Sequence, residues 1–430
     1  MSDLLRLKHL EHVADYEEGD KLIIKVQSRN PVPERQCCLF ATMIKNGRKL
    51  GQRYRDEPIR RQTVRIEIDR QRYKCSACGK TGIYEALPDI DIRHDMTKKL
   101  LVRIQKDAVE WPFSHAAKIN GVEAKQVERI FQDHADKVLK GYLPKLPRVL
   151  SMDEKVIRKK ARFIIGDIEN SAMLDMQMSR RKIDLNEYFS LLPGRDDVEV
   201  ICQDMWSTYR ELNKGLFKNA TVVIDKYHVQ RTANKGVEAV RRLFQQDVSK
   251  AERIHLKNKQ SVFLARWGTA KPRTINQLNA LFTYFPTLKR VYECKESYYE
   301  IYDAASKYEA NEMMNQWLVD LPKDLHRPFK PARDALNNWR PWILNYWDHP
   351  YTNAYAESLN NLIGRMNMQG VGYSPETLRA KALLKHGVFG KTQWGEWVHI
   401  GREGSVPMVW DVGLGVPLST LEADLEAGTF

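Results

Sequence analysis

Residues 198–235 read VEVICQDMWSTYRELNKGLFKNATVVIDKYHVQRTANK. Two short apolar runs, Val198–Cys202 and Thr221–Ile224, each lead within two residues to an aspartate, Asp204 and Asp225. Tyr209–Phe217 between them has helical spacing. The stretch therefore reads as strand, Asp204, helix, strand, Asp225. In open α/β sheets working residues gather just beyond the carboxyl ends of strands, which puts both aspartates on one rim. His228 follows Asp225 by less than a helical turn.

Working outward toward the N-terminus, Val149–Met152 is a short apolar strand ending at Asp153-Glu154, Arg162–Ile165 and Ala172–Met176 are further strands, and Asp184–Leu192 is a helix. Three hairpin-like strands, a helix and a fourth strand is the order of an RNase H-like core, in which strand one lies beside strand four. Asp153 and Asp204 then become neighbours despite their separation in sequence. Adjacent carboxylates repel unless a cation lies between them, and hard oxygen ligands with open positions suit Mg²⁺ or Mn²⁺. Two such ions about 4 Å apart can activate a water or a 3′-hydroxyl and stabilise the leaving oxygen of a phosphodiester. An aspartate after a strand also commonly caps the next helix, so a third acid at the right place decides between the readings.

That acid lies in Tyr351–Gln369, YTNAYAESLNNLIGRMNMQ. Asn353 suits an N-cap, and Glu357, Asn360, Asn361 and Gly364 fall in one neighbourhood of the helix that follows. Arg365, the Gly370–Tyr373 turn, Arg379 and Lys381 add positive charge. Between the two acidic regions the pattern from Gly236 is helical, and Phe244 to Arg340 reads as an all-α insertion. The tryptophans of the helical stretch from Gly236, Trp267, Trp317, Trp339, Trp342 and Trp347 among them, serve a core more readily than a ligand. Trp339 and Trp342, flanking Arg340, are the best placed to stack on bases.

The N-terminal third has a different character. Leu22–Val26 and Val64–Ile68 alternate as strands. Arg70–Thr81, RQRYKCSACGKT, has the form of a zinc knuckle: Cys75 and Cys78 on a tight turn, with Gly79 and Lys80 donating toward sulfur. The only nearby partners, Cys37 and Cys38, are consecutive, and consecutive side chains rarely reach one tetrahedral centre. A Zn²⁺ site using Cys38, Cys75 and Cys78 and a metal-free β-hairpin domain with buried cysteines both fit. Beyond it, Met96–Val109, Phe113–Ile119 (with Ser114 as a cap) and Glu123–Leu139 read as three helices. FSHAAKINGVEAKQVERIF matches a helix-turn-helix, with Ala116, Ala117, Val122, Val127 and Ile130 inside and Gly121 in the turn. Lys125, Gln126 and Arg129 on its second helix would face DNA; an ordinary helical hairpin is the plainer alternative. Leu143–Arg148 reads as a linker.

Composition is consistent with this division. The 430 residues carry a formal charge of +14, from 69 Lys+Arg against 55 Asp+Glu, and a surplus of this size points to a polyanionic partner, most often nucleic acid. No apolar run approaches a membrane span and Met1–Arg6 opens no signal segment, so a cytoplasmic location is expected. Six cysteines in such a chain do not make a disulfide framework.

The MDE at 152–154, QDMWSTYR at 203–210, FKNATVVIDKYHVQRTAN at 217–234 and TNAYAESLNNLIGRM…GVGY at 352–373 together resemble the ISL3 family of bacterial insertion-sequence transposases. The resemblance implies an RNase H-like DDE domain with an all-α insertion before the glutamate, behind a zinc-ribbon-like domain and a helix-turn-helix. It implies Asp153, Asp204 and Glu357 as the metal-binding catalytic acids, with Asp225 and His228 matching a supporting D-x-x-H pair. Where the family has Cys-Pro-x-Cys, this chain has QCCLF. The expected division is 1–92, zinc-ribbon-like; 93–145, helix-turn-helix; 146–243 and 341–400, the two parts of the core; 244–340, the insertion; and 401–430, a tail. The implied partners are double-stranded DNA, as terminal inverted repeats and as target, and at least a second copy of the chain in a nucleoid-associated synaptic complex. The rivals are a catalytically silent transposase-derived regulator and an RNase H-like nuclease that cuts without joining.

Overall fold

The computed structural model describes residues 7–387 apart from Phe40 and Arg61, with only the backbone of Ala251. The tail expected over 401–430 and the end of the 341–400 segment lie outside the described residues. The chain forms two compact units. One holds the described residues up to Gly141 together with Met368–Lys385, and the other holds Tyr142–Asn367.

In the first unit, strands β1 (Leu10–Glu18), β2 (Lys21–Ser28), β3 (Met43–Ile59), β4 (Gln62–Cys75), β6 (Ile90–Asp91) and β7 (Met96–Thr97) form a sheet in the order β1-β2-β4-β3-β7-β6, and β5 (Ile83–Tyr84) pairs with β4. The alternation at 64–68 works as read. Val64, Ile66 and Ile68 face a core with Ile24, Val26 and Tyr54, which sends Thr63, Arg65 and Glu67 to the opposite face. Three helices follow, Lys98–Glu110, Phe113–Asn120 and Ala124–Val138. Ala116, Ala117, Val127, Ile130 and Phe131 are buried between them. Gly121 ends the middle helix at φ +64, the left-handed conformation that glycine adopts without strain. Ser114 is not its cap: Pro112 holds that position.

The helix Pro375–His386 belongs to this unit and corrects one expectation. Lys381, read as part of the positive charge beyond Glu357, is buried. Its Nζ donates to the carbonyl of Ala108 and, at 2.9 Å, to that of Trp111. It also lies 4.9, 5.5 and 5.4 Å from the ring centres of Phe113, Phe131 and Tyr373. The last carbonyls of the Lys98–Glu110 helix have no partner within their own helix, and an amine that donates to them answers their lone pairs whether or not it keeps its charge. The neighbouring helix start is closed by the same segment, since the amide of Phe113 donates to the Tyr373 hydroxyl at 3.0 Å.

The second unit is built on a five-stranded sheet of β8 (Val149–Ile157), β9 (Lys160–Asp167), β10 (Ala172–Gln177), β11 (Val200–Gln203) and β12 (Thr221–Ile224), in the order β10-β9-β8-β11-β12. The first three are antiparallel neighbours, whereas β8, β11 and β12 run parallel. Strand one thus lies beside strand four, as read from the sequence. Asp153, expected just after its strand, lies inside it. The β8–β9 hairpin stays paired as far as Ile157↔Lys160, and this two-stranded extension is too polar to read as a strand by apolar content. Helices Lys182–Leu191 and Ser207–Leu216 cover one face, burying Leu185, Phe189, Tyr209 and Leu212 against Leu150, Met152, Phe163 and Ile165. From Lys226 to Trp347 the regular elements are all helical among the described residues. They share a core that includes Phe263, Tyr298, Trp317 and Phe329.

Lys381 gives this fold a pH signature. Burial, reinforced by the charge of Lys385, pushes its ammonium down to about 7 from the ordinary 10.5. Between those values the unfolded chain holds a proton that the folded one does not, so stability rises with pH across that window. In urea unfolding followed from pH 7 upward, the wild-type chain should gain stability relative to Lys381→Met, by up to a few kcal/mol, on the order set by the size of the shift. A difference between the two proteins that does not change with pH would contradict this.

Candidate functional site

The parallel registers β8–β11 and β11–β12 align Met152 with Gln203 and Gln203 with Ile224. The next residue on each strand path is an aspartate, so Asp153, Asp204 and Asp225 stand side by side at one level, about one strand spacing (~4.8 Å) apart. The amide of Asp225 still bonds the Gln203 carbonyl at 3.0 Å, which keeps the third aspartate in line. Asp153 and Asp225 are buried, while the Asp204 side chain is 30% exposed.

Two helices close on this row. Asp225 holds the N-cap position of the Lys226–Asp247 helix, and His228 lies in its first turn. His228 Nδ1 contacts Asp204 Oδ1 and lies 3.6 Å from Asp225 Oδ2. The helix Ala354–Gln369 docks through amides. The Asn353 backbone N–H donates to Asp225 Oδ1 at 3.0 Å, its side-chain Nδ2 to the Met152 carbonyl at 3.4 Å, and Asn360 Nδ2 to Asp153 Oδ2 at 2.5 Å. Positions 353, 357 and 360 share one helical face, so Glu357 stands between the two asparagines and faces the same row. Asn353 thus precedes the helix as read, but its side-chain amide reaches a strand carbonyl.

The charges bear on one another. Burial and then the charge of Asp204 push the Asp153 carboxyl up to about 7. Burial raises Asp225, against the Asn353 amide and His228. Burial and the charges of Asp225 and Asp204 raise Glu357, with His228 and Arg231 opposing. For His228 burial disfavours the protonated ring, but the bond to Asp204 and the surrounding carboxylates outweigh it and raise the value. Carboxylates crowded in this way are stabilised by a cation. The oxygens of the expected trio, Asp153, Asp204 and Glu357, nevertheless do not all fall within 4.8 Å of one another. Among the described residues only one group of three or more potential metal ligands is that tight, and it lies in the first unit.

That group is Cys37, Cys38, Cys75 and Cys78. Cys37, set aside in the sequence because it adjoins Cys38, belongs to it, and its Sγ is 3.4 Å from that of Cys78. The two consecutive cysteines sit in a bend, where neighbouring side chains need not alternate as they do in a strand. Hydrogen bonds from the amides of Cys78 and Ala77, with Cys37 contributing, bring the Cys75 thiol down to about 6. Those amides take the role expected of Gly79 and Lys80. Four sulfurs at this spacing are the ligand set of a structural Zn²⁺ site.

The residues expected to meet DNA are dispersed. Lys125 and Arg129 are exposed on the Ala124–Val138 helix. Gln126 is engaged, accepting from Arg55 and donating to the His94 carbonyl at 3.1 Å. In the second unit Trp339 and Trp342 are half-buried, with the Arg210 guanidinium 5.3 Å from each ring centre. Arg340 binds Asn311 and Asn315 on the neighbouring helix. Arg365 is exposed on the Ala354–Gln369 helix.

A family model described as Transposase, for the ISL3 type of DDE transposases, matches residues 150–382, more than half of the chain. The chain belongs to the ISL3 transposase family. No curated protein matches it. The matched span of this transposase begins in β8 and ends in the Pro375–His386 helix, so it contains every residue of the carboxylate row and of the helix docked on it. As a transposase it is a DNA-processing enzyme. Among the described residues no helix is long and apolar enough to cross a membrane.

The cysteine cluster gives a direct expectation. Purified transposase should carry one zinc per chain by elemental analysis, and Cys37→Ser should lose most of it, as should Cys75→Ser. Full zinc content in Cys37→Ser would remove Cys37 from the ligand set.

Proposed function

We propose that the carboxylate row is the catalytic centre of an RNase H-like DDE transposase that cuts DNA at the terminal inverted repeats of an insertion sequence and joins the ends to target DNA. The observation that carries this reading is the alignment of Asp153, Asp204 and Asp225 on adjacent parallel strands, beneath the helix that bears Glu357, in a chain of this family. The β10-β9-β8-β11-β12 order supports the RNase H-like assignment. In this reading residues 1–92 and 93–145 bind DNA, 146–243 and the segment from 341 to Asn367 form the core, 244–340 form the insertion, and Met368–Lys385, expected in the core, packs instead in the first unit.

The donor set fits Mg²⁺ or Mn²⁺: all its donors are carboxylate oxygens, Asp153 is raised to about 7 by burial and Asp204, and Asp225 Oδ2 is buried without a hydrogen bond. Asp153, Asp204 and Glu357 would hold the metal, which when bound supplies stabilisation of phosphodiester oxygens and activation of water or a 3′-hydroxyl. Asn360 fixes the Asp153 carboxylate and Asn353 fixes that of Asp225. His228 balances charge between Asp204 and Asp225. Lys125 and Arg129 would contact the DNA of the element ends, and joining two ends calls for at least two copies of the chain.

A second reading exchanges the roles of Asp204 and Asp225. Asp204 Oδ1 and Asp225 Oδ2 are both buried without a hydrogen bond, the first in contact with His228 Nδ1 and the second 3.6 Å from it, so either carboxylate has an oxygen free for a cation. A regulator without catalysis would be marked by a missing acid, and each is present. A nuclease that does not join is separated by assay.

With labelled element ends, Mg²⁺ and a target plasmid, the wild-type chain should cut and join. Asp153→Asn and Glu357→Gln should lose cleavage on the order of a thousandfold, as when a main electrostatic contribution is removed, and should keep end binding. Asp204→Asn and Asp225→Asn compared side by side identify the second ligand by the larger loss. Undiminished cleavage by Asp153→Asn would overturn the assignment, and cutting without joining by the wild type would select the nuclease.

A further inference from the structure

The sheet of the first unit carries an unbalanced charge pair on the face opposite its core. β3 and β4 run antiparallel with Arg53 opposite Glu67 and, two residues on, Arg55 opposite Arg65. The first pair is complementary: Arg53 binds Glu67 and Glu18, each at 2.8 Å. The second sets two arginines directly across from each other in the register, and like charges so placed destabilise a sheet. Among the described residues the Arg55 side chain meets only the neutral amide oxygen of Gln126. The Arg65 side chain is half-buried and, among the described residues, has no hydrogen bond or ion pair. Burial, then the charges of Arg55 and Arg53, depress its basicity; Asp95 alone opposes them.

The pair also has a defined neighbourhood. Thr63, on the same face two residues before Arg65, has its Oγ1 3.7 Å from where a Cβ on Gly121 would stand, at the turn between the last two helices. Gln126, which holds Arg55, lies in the first turn of the Ala124–Val138 helix, between exposed Lys125 and Arg129. The unpaired cations therefore adjoin the start of the helix proposed to contact DNA.

We propose that Arg55 and Arg65 form a phosphate-binding site for the backbone of duplex DNA, so that the β-sheet contacts the strand beside the one met by the helix-turn-helix. The inference rests on the proposed DNA binding of this unit. Two planar guanidinium forks on one face suit phosphate oxygens, and such contacts set orientation without reading sequence. An anion between the arginines removes the repulsion that the free protein carries.

The test uses the full-length chain and a fluorescein-labelled random-sequence duplex, with affinity measured over a range of salt concentrations. Arg65→Gln should bind about tenfold more weakly, and its log–log salt slope should be shallower by about 0.9, the value for one phosphate contact. Arg65→Lys should keep the slope. With no DNA present, Arg65→Gln should melt no lower than the wild type, since it relieves a repulsion. Wild-type affinity and slope in Arg65→Gln would overturn the inference. So would inorganic phosphate at matched ionic strength stabilising only the wild type while duplex binding is unaffected, which would make this a small-anion site. If the wild-type chain binds no duplex at all, the DNA-binding reading itself fails.

Discussion

The mutual repulsion of three aspartates held at one level on β8, β11 and β12 is the constraint on which the second unit depends. Two unit charges about one strand spacing apart repel by about 3 kcal/mol at an effective dielectric of ~20. Nothing in the sheet itself offsets this, because the strands' own hydrogen bonds fix the register that creates it. The surrounding elements answer it locally. His228 reaches Asp204 and approaches Asp225, and Asn353 and Asn360 donate to Asp225 and Asp153. Amide donors satisfy oxygens without cancelling charge, so the row keeps its affinity for a cation while the docked helix holds Glu357 over it.

The first unit shows the complementary use of buried charge. Lys381 is surrounded by aromatic rings and closes the end of a helix with the hydrogen bonds of its Nζ. In the Arg55–Arg65 pair only Arg55 meets a side-chain acceptor among the described residues, the neutral amide oxygen of Gln126. The contrast separates a side chain that belongs to the fold from a pair that waits for a ligand: Lys381 donates to two main-chain carbonyls, whereas Arg65 stands opposite another arginine.

Much of this was legible in the sequence where one period dominated. The alternation at Val64–Ile68, the apolar runs before Asp204 and Asp225, and the turn at Gly121 all appear where their patterns put them. The pairing of strand one with strand four followed from element order. What escaped was decided by long-range partners. Asp153 lies inside a strand because the polar half of β8 pairs with β9. Cys37 joins the cysteine cluster because a bend replaces the extended chain that consecutive cysteines would otherwise need. Lys381 points inward because acceptors many residues away receive it. The docking role of Asn353 and Asn360 was half visible: their spacing around Glu357 marks one helical face, but only the fold supplies the carboxylates they reach.

The claim at the centre is that the aspartate row and Glu357 form a divalent-cation site. Crystals of the protein grown with Mn²⁺ and measured at the manganese absorption edge test it most directly. An anomalous peak within coordination distance of Asp153 and of Asp204 or Asp225, with Glu357 oriented toward it, is the predicted result. Manganese bound elsewhere in the chain, with no peak at these carboxylates, would contradict it.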